Sequence, residues 1–152
     1  MAKLKNGAWV LVADGEKALF LVNDGDETNL DLRVIRKDEQ DNPPTREQAA
    51  NRPGRVQESV GHGVSAMADT DWHELAKERF AIDLADLLYH RAHAGRFEQL
   101  VIVAAPQILG VLRASIHSTV ADKLVIEIPK HLTNQPIDKI EHQVAAAVSQ
   151  AD

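Results

Sequence analysis

Strand-length runs in this chain are apolar without a break, among them Ala8-Trp9-Val10-Leu11-Val12-Ala13 and Leu100-Val101-Ile102-Val103-Ala104. A strand with one face in water alternates apolar and polar side chains. These two do not, so each suits a position covered on both faces. Asp14-Gly15 follows the first run, and Ala18-Leu19-Phe20-Leu21-Val22 resumes the apolar pattern. Asp-Gly between two such runs predicts a hairpin, because both residues tolerate positive φ. Glu16-Lys17 widens it to a four-residue turn. After Asn23-Asp24-Gly25-Asp26, the residues Leu30, Leu32 and Val34 alternate with Asp31, Arg33 and Ile35, the pattern of a half-buried strand nearer a sheet edge.

Lys37 to Ala68 holds Pro43-Pro44, Pro53-Gly54, Gly61 and Gly63 and lacks sustained periodicity. It reads as a loop of about 30 residues, a length usually reserved for functional or disordered segments. A long helix is predicted from Asp69 or Asp71, either of which can cap it. Trp72, Ala76, Phe80, Leu84, Leu87, Leu88 and Arg91 follow the helical period, and Gly95 suits its end. Leu100–Ala104 is the fourth strand. Pro106 opens a short helix with Ile108, Leu109 and Leu112 inward. Lys123–Ile128 is the fifth strand, and Pro136 starts a last helix with Ile137, Ile140, Val144 and Val148 along one face.

Strands joined by short turns are antiparallel neighbours, and strands joined through helices are parallel. The expected architecture is therefore α/β. It is a mixed five-stranded sheet, its first three strands antiparallel and its helices on both faces, in a ribonuclease-H-like or translation-factor-like outline. The 152 residues, 44% hydrophobic, make one domain spanning 1–152. A net charge of −6 excludes a globally basic nucleic-acid coat but not a local basic patch. Without cysteine there are no disulfides and no thiolate chemistry. No apolar run is long enough to span a membrane. The polar opening, Met1 to Gly7, does not resemble a secretory signal, so a cytoplasmic protein is expected.

Candidate chemistry is sparse. A two-metal nuclease needs converging carboxylates. Asp14 follows the first strand, and Asp69, Asp71 and Glu74 open the long helix, but the fourth strand ends Val103-Ala104-Ala105-Pro106 with no acid. Asp14 is therefore read as a turn residue and the others as caps. His90 and His93 share a helical face with no third ligand placed by the sequence, so no metal site is expected. His62, between Gly61 and Gly63, suits a general base or a phosphate donor, and equally an exposed loop residue. Ser59 and Ser65 lack a nucleophile elbow, and no phosphate-binding glycine motif follows a strand. Arg46, Arg52 and Arg55 are the strongest pointer to a polyanion, since arginine forks onto phosphate. Periodicity assigns Trp9, Phe20, Trp72 and Phe80 to the core, which leaves no stacking platform for bases.

Trp9-Val10-Leu11-Val12-Ala13-Asp14-Gly15, Pro53-Gly54-Arg55, Phe80-Ala81 with Leu84-Ala85 and Leu88, Leu100 through Pro106, Leu109-Gly110-Val111-Leu112-Arg113, and Glu127 with Lys130-His131-Leu132-Thr133 together resemble the bacterial host-attachment protein family. Its members are small proteins described as required for attachment to host cells. His131 stands where that pattern leads one to expect an acid. The family is in turn similar to the central domain of archaeal and eukaryotic peptide-chain release factors. There, a loop before the long helix carries Gly-Gly-Gln, whose glutamine helps place water for hydrolysis of the peptidyl-tRNA ester. Here that region reads Gly61-His62-Gly63-Val64-Ser65-Ala66, with Val64 in the glutamine's place if Gly63 holds the register, and Gln57 the only other nearby glutamine.

The resemblance implies a release-factor-like scaffold without the intact hydrolytic tip. The reading is a non-enzymatic cytoplasmic binding protein that needs no cofactor. It would engage ribosome, rRNA or tRNA, or a protein partner, through Arg46, Arg52, Arg55, His62 and Ser65. The alternative is a peptidyl-tRNA hydrolase or ribosome-rescue factor using Gln57 or His62.

Overall fold

The computed structural model describes residues 3–40 and 57–150, with 57–71 described by backbone alone. Strands β1 (Trp9–Ala13), β2 (Lys17–Asn23) and β3 (Leu32–Glu39) precede helix α1 (Gln57–His93). Strand β4 (Leu100–Ala104), helices α2 (Pro106–Ser115) and α3 (Ser118–Ala121), strand β5 (Leu124–Ile128) and helix α4 (Ile137–Gln150) follow. The sheet order is β3-β2-β1-β4-β5. β1 runs antiparallel to β2 and parallel to β4, β2 runs antiparallel to β3, and β5 runs parallel to β4. The carboxyl ends of β1, β3, β4 and β5 therefore share one edge of the sheet, and β2 alone points the other way.

Two of the uninterrupted apolar runs supply the adjoining strands β1 and β4, and all five residues of each strand are buried. Their side chains alternate between two cores. Trp9, Leu11 and Ala13 join Leu100, Ile102 and Ala104 on one face, under Phe80, Leu84 and Leu88 of α1, Leu109 and Leu112 of α2 and Val120 of α3. Val10, Val12, Val101 and Val103 face the other way, under Ile140, Val144 and Val148 of α4. On the first face Trp9 stacks on Phe97, with centroids 4.9 Å apart, and meets Phe20 edge-on at 6.0 Å. Such aromatic pairs add to plain area burial.

Several local features differ from the sequence reading. The β1–β2 turn contains no left-handed residue; among the described residues only Gly7 and Gly95 have positive φ. The Asp14 carboxylate closes the turn instead, accepting from the backbone N–H groups of Glu16 and Lys17 at 2.7 and 2.8 Å. β3 continues to Glu39 because the polar residues Arg36–Glu39 pair with Lys17–Phe20. As an edge strand it leaves Val34 and Ile35 exposed, and the Glu141 carboxylate from α4 accepts the N–H of Leu32 at 2.8 Å. α1 begins at Gln57, not at Asp69 or Asp71, so His62 and Ser65 belong to a helix; within the expected loop of 37–68, residues 37–39 are strand, 57–68 are helix, and 41–56 lie outside the described residues. Trp72 is 50% exposed rather than core, and the first buried side chain described in α1 is Phe80. At the other end α1 closes as expected: Gly95 takes φ +73°, and the N–H of Arg96 reaches back to the carbonyl of Arg91 at 2.9 Å. The one-turn helix α3 carried no sequence signal. His117 caps it, accepting from the N–H of Thr119 at 3.0 Å.

Candidate functional site

Open α/β sheets bind ligands beyond the carboxyl ends of their strands. That edge carries a cleft of about 690 Å³, lined by residues from every strand ending there and from the helices that follow. The β1–β2 turn contributes Asp14, Gly15, Glu16 and Lys17, and the end of β3 contributes Glu39 and Gln40. α1 adds Lys77, the start of α2 adds Gln107 and Ile108, and the segment after β5 adds His131 and Asn134.

Asp14 organises one wall. While Oδ1 holds the turn, Oδ2 accepts from the Thr133 hydroxyl at 2.5 Å and lies 3.2 Å from Nε2 of His131. Thr133 is 5% exposed, and its Oγ1 is 3.2 Å from the same imidazole nitrogen. Burial pushes the Asp14 carboxyl up. The donors from Thr133, from the Glu16 and Lys17 backbone and from His131 outweigh it, and leave the group below the ordinary aspartate value. With all of its acceptor positions occupied, Asp14 is a fixed anion that orients the His131 ring.

The sign of this shift sets a pH dependence. A carboxyl whose folded pKa is depressed contributes stability that is present above its unfolded value, near 3.9, and is lost as the pH falls through the folded one. Asp14→Asn is therefore expected to cost about 1–3 kcal/mol at pH 7. The gap from the parent protein should narrow as the pH drops below about 4. Urea unfolding at pH 7 and pH 3 measures both, and a gap of equal size at the two pH values would refute the assignment.

Next to Asp14 in the chain, Gly15 is covered by the Lys77 stem. A Cβ built on Gly15 would come within 2.7 Å of Cγ of Lys77. The Lys77 ammonium is 3.9 Å from Glu74, whose other carboxylate oxygen accepts from Gln107 at 2.9 Å. The Lys17 ammonium donates to the side-chain oxygen of Asn134. Among the described residues no group of three or more His, Asp or Glu side chains is gathered for a metal ion. His90 lies 3.5 Å from Asp86, and His93 stacks on Tyr89.

Arg46, Arg52 and Arg55 fall outside the described residues. Gln57, His62 and Ser65 are within the first turns of α1, where the backbone alone is described. Asp14 is the turn residue that its position after β1 predicts, but the turn engages only half of its carboxylate. His131 and Thr133 join it across more than a hundred residues of chain, a link that no local pattern announces.

The family model described as bacterial archaeo-eukaryotic release factor family 12 matches residues 7–144. No curated protein matches the chain. Among the described residues, no helix is long and apolar enough to cross a membrane.

Proposed function

From the premise that this chain belongs to bacterial archaeo-eukaryotic release factor family 12, we propose that it is a non-enzymatic binding protein that engages the ribosome, through rRNA or tRNA, with the segment around Arg46–Ser65 and the start of α1. The reach of α1 carries this reading. The helix has 37 residues, about 55 Å at 1.5 Å per residue. The sheet buries it only from Phe80 onward among the described side chains, and Trp72 and Leu75 before that point are 50% and 61% exposed. The turns before Glu74, ahead of the contacts that Glu74 and Lys77 make with Gln107 and Gly15, are longer than the core requires, and suit an arm that extends toward a partner. Arg46, Arg52 and Arg55 precede that arm in the chain and have the fork geometry that phosphate favours. The strand order β3-β2-β1-β4-β5 supports a ribonuclease-H-like topology for the scaffold. A ribosomal partner requires a cytoplasmic pool, and an attachment role of the kind suggested by the host-attachment resemblance would then be indirect.

Replacing Arg46, Arg52 and Arg55 together with alanine is expected to weaken co-sedimentation with ribosomes. It should also flatten the salt dependence of binding by about 2 in the slope of log K against log salt. Co-sedimentation unchanged by the triple substitution rules the reading out.

The start of α1 at Gln57 favours a second reading, peptidyl-tRNA hydrolysis, because it sets a glutamine at the head of the long helix. Peptide release from stalled ribosomes that is lost in Gln57→Ala would establish it. Release that survived both Gln57→Ala and His62→Ala would remove both residues from the chemistry.

A further inference from the structure

We propose that the cleft at the carboxyl ends of β1, β3, β4 and β5 binds a small phosphorylated ligand, its phosphate held by the Lys17 and Lys77 ammonium groups beside the imidazole of His131. The cleft, at about 690 Å³, falls within the range of small-molecule sites, about 300–1,000 Å³. Its two ammonium groups are available, and the acid nearest His131, Asp14, is committed. Lys17 donates to the neutral side chain of Asn134 and keeps two further N–H donors. Lys77 stands 3.9 Å from Glu74, beyond hydrogen-bond distance, and its stem is led across the turn by the absence of a side chain at Gly15.

Among the acids, Asp14 spends its oxygens on the Glu16 and Lys17 N–H groups, Thr133 and His131. Glu39 is 64% exposed and lies 3.8 Å from Lys37. Glu16 is exposed. The donors on offer are point-like ammonium groups and an imidazole from three separate segments, and among the described residues no guanidinium lines the cleft. A planar carboxylate is best matched by an arginine fork, whereas a tetrahedral phosphate accepts from several directions.

None of Lys17, Lys77 and His131 belongs to the segment around Arg46–Ser65, and small-molecule probes test this site by itself. His131 ring resonances are followed by NMR during titration of the full chain with inorganic phosphate, adenosine monophosphate, adenosine and acetate at constant ionic strength. Phosphate and adenosine monophosphate are expected to shift the His131 signals saturably and to compete with one another. Lys17→Ala combined with Lys77→Ala should weaken both by about tenfold or more. Gly15→Ala, which keeps every charge but displaces the Lys77 stem, should weaken both as well. Absence of a saturable shift, equal affinity in the lysine double variant, or adenosine or acetate binding as tightly as the phosphates would each overturn the proposal.

Discussion

Phe20→Ala is expected to destabilise the fold by about 4 kcal/mol. Phe20 is completely buried in the middle of β2, and its ring meets the edge of Trp9. It sits beneath α1 in the larger of the two cores, opposite Leu11 across the β1–β2 pair. Truncation removes the transfer free energy of a whole ring and the aromatic contact. It also leaves a void that a rigid neighbour such as Trp9 cannot close, because Trp9 is itself stacked on Phe97. The register shift between Phe20 and Leu21 fixes the strand at this point, so the backbone cannot slide to fill the space. Urea unfolding followed by circular dichroism measures the loss, with the slope against denaturant unchanged. A cost below about 1 kcal/mol would mean that this face of the sheet does not pack as described.

Asn23→Ala should cost about 3 kcal/mol, though it removes only a small polar group. Asn23 is one of two buried polar residues among those described. Its amide nitrogen donates to the carbonyls of Leu4, Lys5 and Asp26 at 3.2–3.3 Å. Its oxygen accepts from the N–H groups of Gly25 and Asp31 at 2.9 and 3.0 Å. One side chain thus ties the N-terminal segment and the β2–β3 connection together. Alanine leaves those backbone groups without it, in a place water reaches poorly. Asn23→Asp should be no better, since a carboxylate has no donor for the three carbonyls. Faster amide exchange at Gly25 and Asp31 in Asn23→Ala, beyond what global unfolding explains, would distinguish loss of this node from general loosening.

What the sequence discloses follows from how far each signal reaches along the chain. β1, β4, α2 and α4 were legible because their apolar spacing is local, and Ile108, Leu109, Leu112, Ile140, Val144 and Val148 are buried as their periods require. The end of β3 was not legible, because Arg36–Glu39 owe their strand conformation to pairing with Lys17–Phe20 and not to their own composition. The start of α1 was obscured by Gly61 and Gly63, which lower helix propensity without forbidding a helix. Trp72 matched the helical period but is 50% exposed, so the period alone does not decide which turns of α1 are buried. The cleft was the least visible feature. Asp14, Lys77 and His131 each have an ordinary local explanation, and only the arrangement of parallel strands brings them to one edge.

The central strand also sets the order in which the chain can assemble. β1 meets β2 through a turn of three residues, Asp14 to Glu16, whereas its other neighbour, β4, arrives from about 90 residues further on. The meander β1-β2-β3 can form early, and docking of β4 is the slow, entropically costly closure. Until then one long side of β1 has unpaired backbone groups, and Val10 and Val12 on one face and Leu11 on the other lack part of the apolar surface that buries them. On the ribosome that side stays vulnerable to aggregation until Leu100–Ala104 has been synthesised.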